Sequence, residues 1–166
     1  MAFGISGEGR SAEEQFILIT GAARAQRAAS GDAILDGHLI EVKKATSNTL
    51  NQVRAVKYLP IVVLYEPTRS WYVIPAHRVV ARVARKNRGQ HTENPFESAT
   101  LSLADFGDTI VNDVSGLRDA TLAAVAESDS YQELRDAMAE ILKDARTLSE
   151  VSKEKIRALL KRLGFA

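Results

Sequence analysis

The segment GDAILDGHLIEVKK, residues 31–44, carries three side chains whose types and spacing suit metal-assisted chemistry: Asp32, Glu41 and Lys43. Asp36-Gly37 between two apolar runs specifies a hairpin with a two-residue turn. With those two residues as the loop, Leu35 faces His38 and Asp32 lies directly opposite Glu41. Residues paired in this way on one face have Cβ atoms ~4.5–5.5 Å apart. Alternation along the strand puts Lys43 on the same face and turns Ala33, Ile40 and Val42 toward the core. Two carboxylates this close repel each other, and a hard divalent cation between them removes the conflict. All-oxygen ligation suits Mg²⁺, with Mn²⁺ as a substitute. Such an ion meets a phosphate oxygen and activates water, while Lys43 orients or helps to deprotonate that water and stabilises charge in the transition state. The same residues also read as an ordinary ion-pair cluster on an exposed sheet face, a type worth ~0–1 kcal/mol. The turn spacing that opposes the two acids, followed by a polar helix and a basic block, favours the chemical reading.

The surrounding elements must hold that hairpin. Ser11 with Glu14 three residues later forms a capping-box pattern that opens a helix over roughly 11–27, interrupted by Gly21. Leu50, Val53 and Val56 are spaced for one apolar face of a short helix over 48–58. Ile61–Tyr65 is a continuous apolar run and reads as a buried strand, Trp71–Ile74 as another, and Pro75 as the start of a helix carrying His77–Arg85. A polar loop spans 86–95, and Phe96–Leu103 alternates like a strand. Three amphipathic helices follow near 114–127, 130–146 and 149–163, with Gly164 as a C-cap and Leu134, Met138, Ile141, Ile156, Leu159 and Leu163 as packing residues. The expectation is an α/β (α+β) protein with a mixed central sheet flanked by helices. Its core occupies residues 1–110, and a helical C-terminal subdomain over 111–166 is a candidate for dimerisation.

Composition narrows the class. At 166 residues with 45% hydrophobic and 26% charged residues, the chain has enough apolar material for a packed core. With no cysteine, disulfides, thiolate metal sites and a cysteine nucleophile are excluded, which suits a cytoplasmic location. No apolar run approaches the ~20 residues that span a bilayer, and the first residues lack a signal-peptide layout, so no membrane partner is expected. Residues 1–103 carry 13 Lys/Arg against 9 Asp/Glu, and residues 104–166 carry 9 against 12. Arg78, Arg82, Arg85, Lys86 and Arg88 fall in an acid-free stretch, a local block that reads as a polyanion surface or as a solvated helix face.

Asp32, nine residues' distance, and Glu41-Val42-Lys43 resemble the PD-(D/E)xK nuclease superfamily, which includes restriction endonucleases and Holliday-junction resolvases. Gly31 stands where the usual proline precedes the first acid. The following segment, NTLNQVRAVKYLPIVVLYEPTRSWYVIPAHRVV, is similar to that of the small blunt-cutting type II restriction enzymes that recognise CAGCTG. The loop GQHTENPFES resembles their base-reading stretch, and the resemblance covers roughly residues 30–103. It implies a restriction-endonuclease-like fold and a Mg²⁺-dependent phosphodiesterase. Asp32, Glu41 and the Val42 carbonyl would be ligands, with Lys43 near the nucleophile. Lys57 matches the family's Lys-Tyr pair. The familiar enzyme dimerises through an N-terminal region, whereas here the additional mass is C-terminal.

The expected partners are double-stranded DNA and a second copy of the chain, since a two-fold protein matches a two-fold site. Gln52, projecting from the helix after the catalytic strand, reads either as a contact to the scissile phosphate or as a solvated residue. Asn51, Arg54 and Lys57 on the same segment, and Arg82, Arg85, Lys86 and Arg88 of the basic block, are candidate DNA contacts. Arg88, Gln90, His91 and Asn94 form a loop whose donors and acceptors can read base edges. Glu14 is explained by its cap, His38 by the turn surface, and His77 by a helix surface. A Holliday-junction resolvase and a non-catalytic DNA-binding or assembly protein are the alternative readings.

Overall fold

The computed structural model describes residues 11–26, 32–85, 96, 97, 99–143 and 150–165. Its strands are β1 (Ala23–Arg24), β2 (Ala33–Leu35), β3 (His38–Ala45), β4 (Thr49–Val53), β5 (Ile61–Tyr65), β6 (Ser70–Ile74), β7 (Ala99–Ser102) and β8 (Ile110–Val111). Its helices are α1 (Ala12–Thr20), α2 (Ala76–Ala84), α3 (Leu117–Asp129), α4 (Gln132–Lys143) and α5 (Glu150–Arg162). Six strands form one mixed sheet in the order β1-β2-β3-β5-β6-β8, and β4 pairs with β7 in a separate ribbon. Only β3 and β5 run parallel; the other pairs are antiparallel. The molecule is therefore an α+β protein with a mixed sheet and a helical C-terminal part, as its sequence pattern implies. Among the described residues no helix is long and apolar enough to cross a membrane.

Local signals set several boundaries. The Ser11 hydroxyl accepts the Glu14 N–H at 3.1 Å and caps α1. The helix ends at Thr20 rather than near residue 27, because Gly21 adopts φ +78° and donates its N–H to the Ile17 carbonyl. Ala23 and Arg24 are then free to pair with β2. At the other end Gly164, at φ +94°, closes α5, and the Phe165 N–H returns to the Leu160 carbonyl.

Every residue of Ile61–Leu64 is buried, because β5 is central and both of its faces are covered. On one face Ile61 and Val63 join Tyr72, Ile74, Val79, Val83, Leu101 and residues of α4 and α5. On the other, Val62 and Leu64 join Phe16, Ile40, Val42, Trp71 and residues of α3. Leu134, Met138, Ile141 and Ile156 are buried in the first core, with Leu159 and Leu163 packed against it. The helices beyond residue 110 thus share both cores with the sheet, and each fully buried Leu or Met contributes ~1.5–3 kcal/mol.

The expected helix over 48–58 is instead β4 followed by a 3-10 turn at Ala55–Lys57. Leu50, Val53 and Val56 are buried as that pattern requires, but a bulged strand delivers the first two and the 3-10 turn the third. Leu50 pairs with Leu101, and the Val56 N–H bonds the Phe96 carbonyl at 2.8 Å. Partners distant in sequence outweigh a modest local helical preference here. The strand expected over Phe96–Leu103 is shortened to Ala99–Ser102, and Leu103–Thr109 continues in 3-10 conformation.

Candidate active site

The turn between β2 and β3 has Asp36 at φ +49° and Gly37 at φ +83°, the left-handed pair that a two-residue hairpin needs. Arg118 of α3 donates from one guanidinium nitrogen to both Asp36 carboxylate oxygens, at 2.7 and 2.8 Å, and from the other to the Thr20 carbonyl at 2.7 Å. The hairpin is therefore tied to the C-terminal end of α1. Its register pairs Leu35 with His38, Ile34 with Leu39 and Ala33 with Ile40, as the turn predicts.

The register does not continue to Asp32. The Asp32 carbonyl accepts from Ala25 on one side, while its N–H donates to the Ile40 carbonyl on the other. In a regular strand both groups of one residue point the same way, so Asp32 is bulged. The expected direct opposition of Asp32 and Glu41 is corrected accordingly. The Asp32 carboxylate reaches along β3 and accepts the Val42 N–H through Oδ2 at 2.9 Å. A bulge at the end of β2 therefore re-aims the first acid one residue beyond its cross-strand position.

The second acid faces a cation that the sequence pattern did not assign to it. Glu41 Oε1 lies 3.3 Å from Lys57 Nζ, and the two side chains are 18% and 10% exposed. Lys57 was expected as a DNA contact from a helix; it is a half-buried ion-pair partner from a 3-10 turn. Its spacing from Glu41 in sequence carries no signal of this, because β4 and the return to β5 bring the two together.

Lys43, on the same side of β3 as Glu41, donates from Nζ to the Gln52 carbonyl at 3.3 Å. Gln52 sits at φ +55° in the irregular part of β4, and its exposed side chain does not project from a helix. What the structure brings to the site from Gln52 is its main-chain oxygen.

The donors available on this stretch of β3 are oxygens, the kind of ligand a hard cation takes. Val42 directs its N–H away from β5, since the adjacent Glu41 N–H goes to the Pro60 carbonyl. The Val42 carbonyl leaves the strand on that same side. Asp32 Oδ1, the Glu41 carboxylate and this carbonyl would be the oxygens offered to such an ion, and Glu41 already faces the positive charge of Lys57. Among the described residues no three acidic or histidine side chains cluster as a metal site. A set of two carboxylates and one carbonyl leaves the remaining positions to water and phosphate oxygens, as Mg²⁺ prefers.

Among the described residues, those expected to contact DNA are engaged within the chain. Arg54 pairs with Glu97, and Asn51 Oδ1 accepts from Thr100 at 3.4 Å. Arg78 holds Asp108 with two bonds at 2.7 and 3.0 Å and keeps that carboxyl below its ordinary range. Arg82 donates to Asp105 at 2.8 Å and Arg85 to the Phe165 carbonyl. Lys86, Arg88, Gln90, His91 and Asn94 lie outside the described residues.

Arg78, Arg82 and Arg85 line a cavity of about 460 Å³ that none of Asp32, Glu41 and Lys43 reaches. His77 also lines it, and here the expectation of a surface histidine fails: the residue is 1% exposed. Its ring lies 4.4 Å from Tyr131 and 5.3 Å from Phe165, centroid to centroid. Burial holds its imidazole below the ordinary range, although Glu127, 3.3 Å from Nε2, pulls the other way. The second residue of α2 faces inward because α3 and the chain's C-terminal turn close over it. Burial likewise pushes the Tyr58 phenol well above its ordinary range, and its hydroxyl donates to the Ser128 carbonyl at 2.8 Å.

No family model, curated protein or solved structure matches the chain.

Proposed function

We propose that the chain is a Mg²⁺-dependent endonuclease that hydrolyses phosphodiester bonds of double-stranded DNA in the manner of a type II restriction enzyme. It would act in the cytoplasm as a homodimer on a short palindrome. The observation that carries this reading is that Asp32 accepts the N–H of Val42, the residue of β3 between Glu41 and Lys43, while Lys43 donates to the Gln52 carbonyl.

Asp32, Glu41 and the Val42 carbonyl would hold the ion, with Mn²⁺ as a substitute. When bound, it supplies positive charge to the phosphate and lowers the pKa of attacking water. The chain's own groups do the rest. Lys43 Nζ, half-exposed and tethered at its carbonyl partner, donates to a non-bridging phosphate oxygen and offsets the charge that develops there. Water oxygen bonds to phosphorus and gives up one proton to solvent, the ester P–O bond breaks, and the leaving oxygen takes up a proton from solvent. The arginines of α2 can exchange their exposed Asp105 and Asp108 partners for backbone phosphates, positioning the duplex without reading it.

Incubation with linear duplex and with a four-way junction, each with Mg²⁺ and with EDTA, tests the proposal. Discrete fragments from linear duplex with Mg²⁺ alone are expected. Nicking confined to the junction would move the assignment to a resolvase. Binding with no cutting in any arm would refute catalysis.

A further inference from the structure

We infer that Lys57 is a positioning residue, the internal cation that a bound metal must displace, so that the Glu41–Lys57 ion pair and metal binding exclude each other. The inference rests on the metal-dependent reading of the Asp32–Glu41 site and adds to it a residue that controls occupancy. Lys57 Nζ stands 3.3 Å from Glu41 Oε1, and both side chains are largely withdrawn from water. Asp32 has committed one oxygen to the Val42 N–H, and the second ammonium on this face, Lys43, is turned to the Gln52 carbonyl. Two acids and two ammonium groups thus leave the patch neutral. Adding a dication to a half-buried neutral patch leaves an excess of charge that the surroundings solvate poorly, unless one ammonium withdraws.

The construction of the segment decides which group moves. Val56 and Tyr58 on either side of Lys57 are buried, and the Val56 N–H is bonded to the Phe96 carbonyl at 2.8 Å, so the main chain is fixed. A lysine stem can stay packed while its ammonium swings several ångströms. Lys57 has Glu41 as its anionic partner; once that carboxylate turns to the metal, the nearest new anion is a substrate phosphate. Metal and DNA phosphate then favour each other's binding, because each relieves what the other leaves uncompensated.

Calorimetric titration of Mn²⁺ into the whole chain without DNA tests this, using wild type, Lys57→Met and Lys57→Arg, with Glu41→Gln as the control that should not bind. Removing one unit charge beside the site should tighten Mn²⁺ binding about tenfold in Lys57→Met. Lys57→Arg, which keeps the charge, should bind like wild type. Circular dichroism checks the fold, and Lys57→Gln replaces the methionine variant if that one unfolds. Folded Lys57→Met binding Mn²⁺ no more tightly than wild type, while wild type still cuts duplex, would overturn the inference and leave the nuclease reading intact. A wild type that neither binds Mn²⁺ nor cuts would remove both.

Discussion

Charge is organised differently at the hairpin and on the outer face of α2. At the hairpin, Glu41 and Lys57 meet with little exposure, and Asp32 is satisfied by a main-chain N–H. On α2, Arg78 and Arg82 meet Asp108 and Asp105, which are 69% and 36% exposed. Exposed pairs of this kind are worth ~0–1 kcal/mol and are screened by salt. A half-buried group that loses its partner keeps its desolvation penalty, so removing one side of the hairpin cluster costs more than the pair contributes when intact. The lesson is that the same residue types fix a geometry in one region and leave an exchangeable surface in the other. The hairpin suits chemistry, which needs atoms held in place, and α2 suits reversible contact with a polyanion.

The strongest way to break this contrast is to remove the acids. Asp32→Ala and Glu41→Ala should each abolish Mg²⁺-dependent cleavage while duplex binding survives or tightens, as read by gel mobility. Wild-type-like cutting by either variant would show that the hairpin is only a surface cluster. Lys43→Ala should lower the cleavage rate about 10²–10³-fold, the size expected for losing one donor to developing charge, while Mn²⁺ binding stays measurable by calorimetry. If metal binding vanished as well, Lys43 would be holding the strand rather than the phosphate.

A smaller effect comes from the buried side of α2, where burial rather than pairing sets the charge state. His77 titrates below its ordinary value of 6.5, so as pH falls the unfolded chain takes up the proton before the folded one does. The stability associated with neutral His77 is complete above about 6.5 and declines as pH drops from there toward the folded value. Thermal melts at pH 7.5 and 5 should show the loss, and His77→Phe should flatten that part of the profile. An unchanged slope would mean that other groups carry it.

The smallest expected stability change is on the outer face. Arg82→Ala/Arg85→Ala should alter stability by under ~1 kcal/mol, yet reduce the slope of log affinity against log salt by about two if both meet phosphates. An unchanged slope would show that this face meets only solvent and its aspartates.

Much of this was legible because it is local. The Asp36-Gly37 turn needs two positive φ angles, and its two-residue length pins Leu35 opposite His38 whatever the rest of the chain does. Ser11, three residues before Glu14, caps α1 through a contact inside one turn. The all-apolar Ile61–Leu64 could satisfy itself only with both faces covered. The placement of Glu41 and Lys43 on one strand of that hairpin follows from the same local pattern.

What the sequence could not determine lies in contacts between distant segments. Residues 48–58 have a helical apolar spacing, and pairing with the sequence-distant β7 made them a bulged strand and a 3-10 turn. That outcome set the Gln52 carbonyl on Lys43 and Lys57 on Glu41. The bulge at Asp32 arose because its carbonyl pairs with the β1 side and its N–H with β3. His77 became buried through packing by Tyr131 and Phe165. Propensity and turn chemistry act over a few residues, so sequence determined the hairpin. The partners of each charge depend on which surfaces are driven together by burial, and only the tertiary structure decides that.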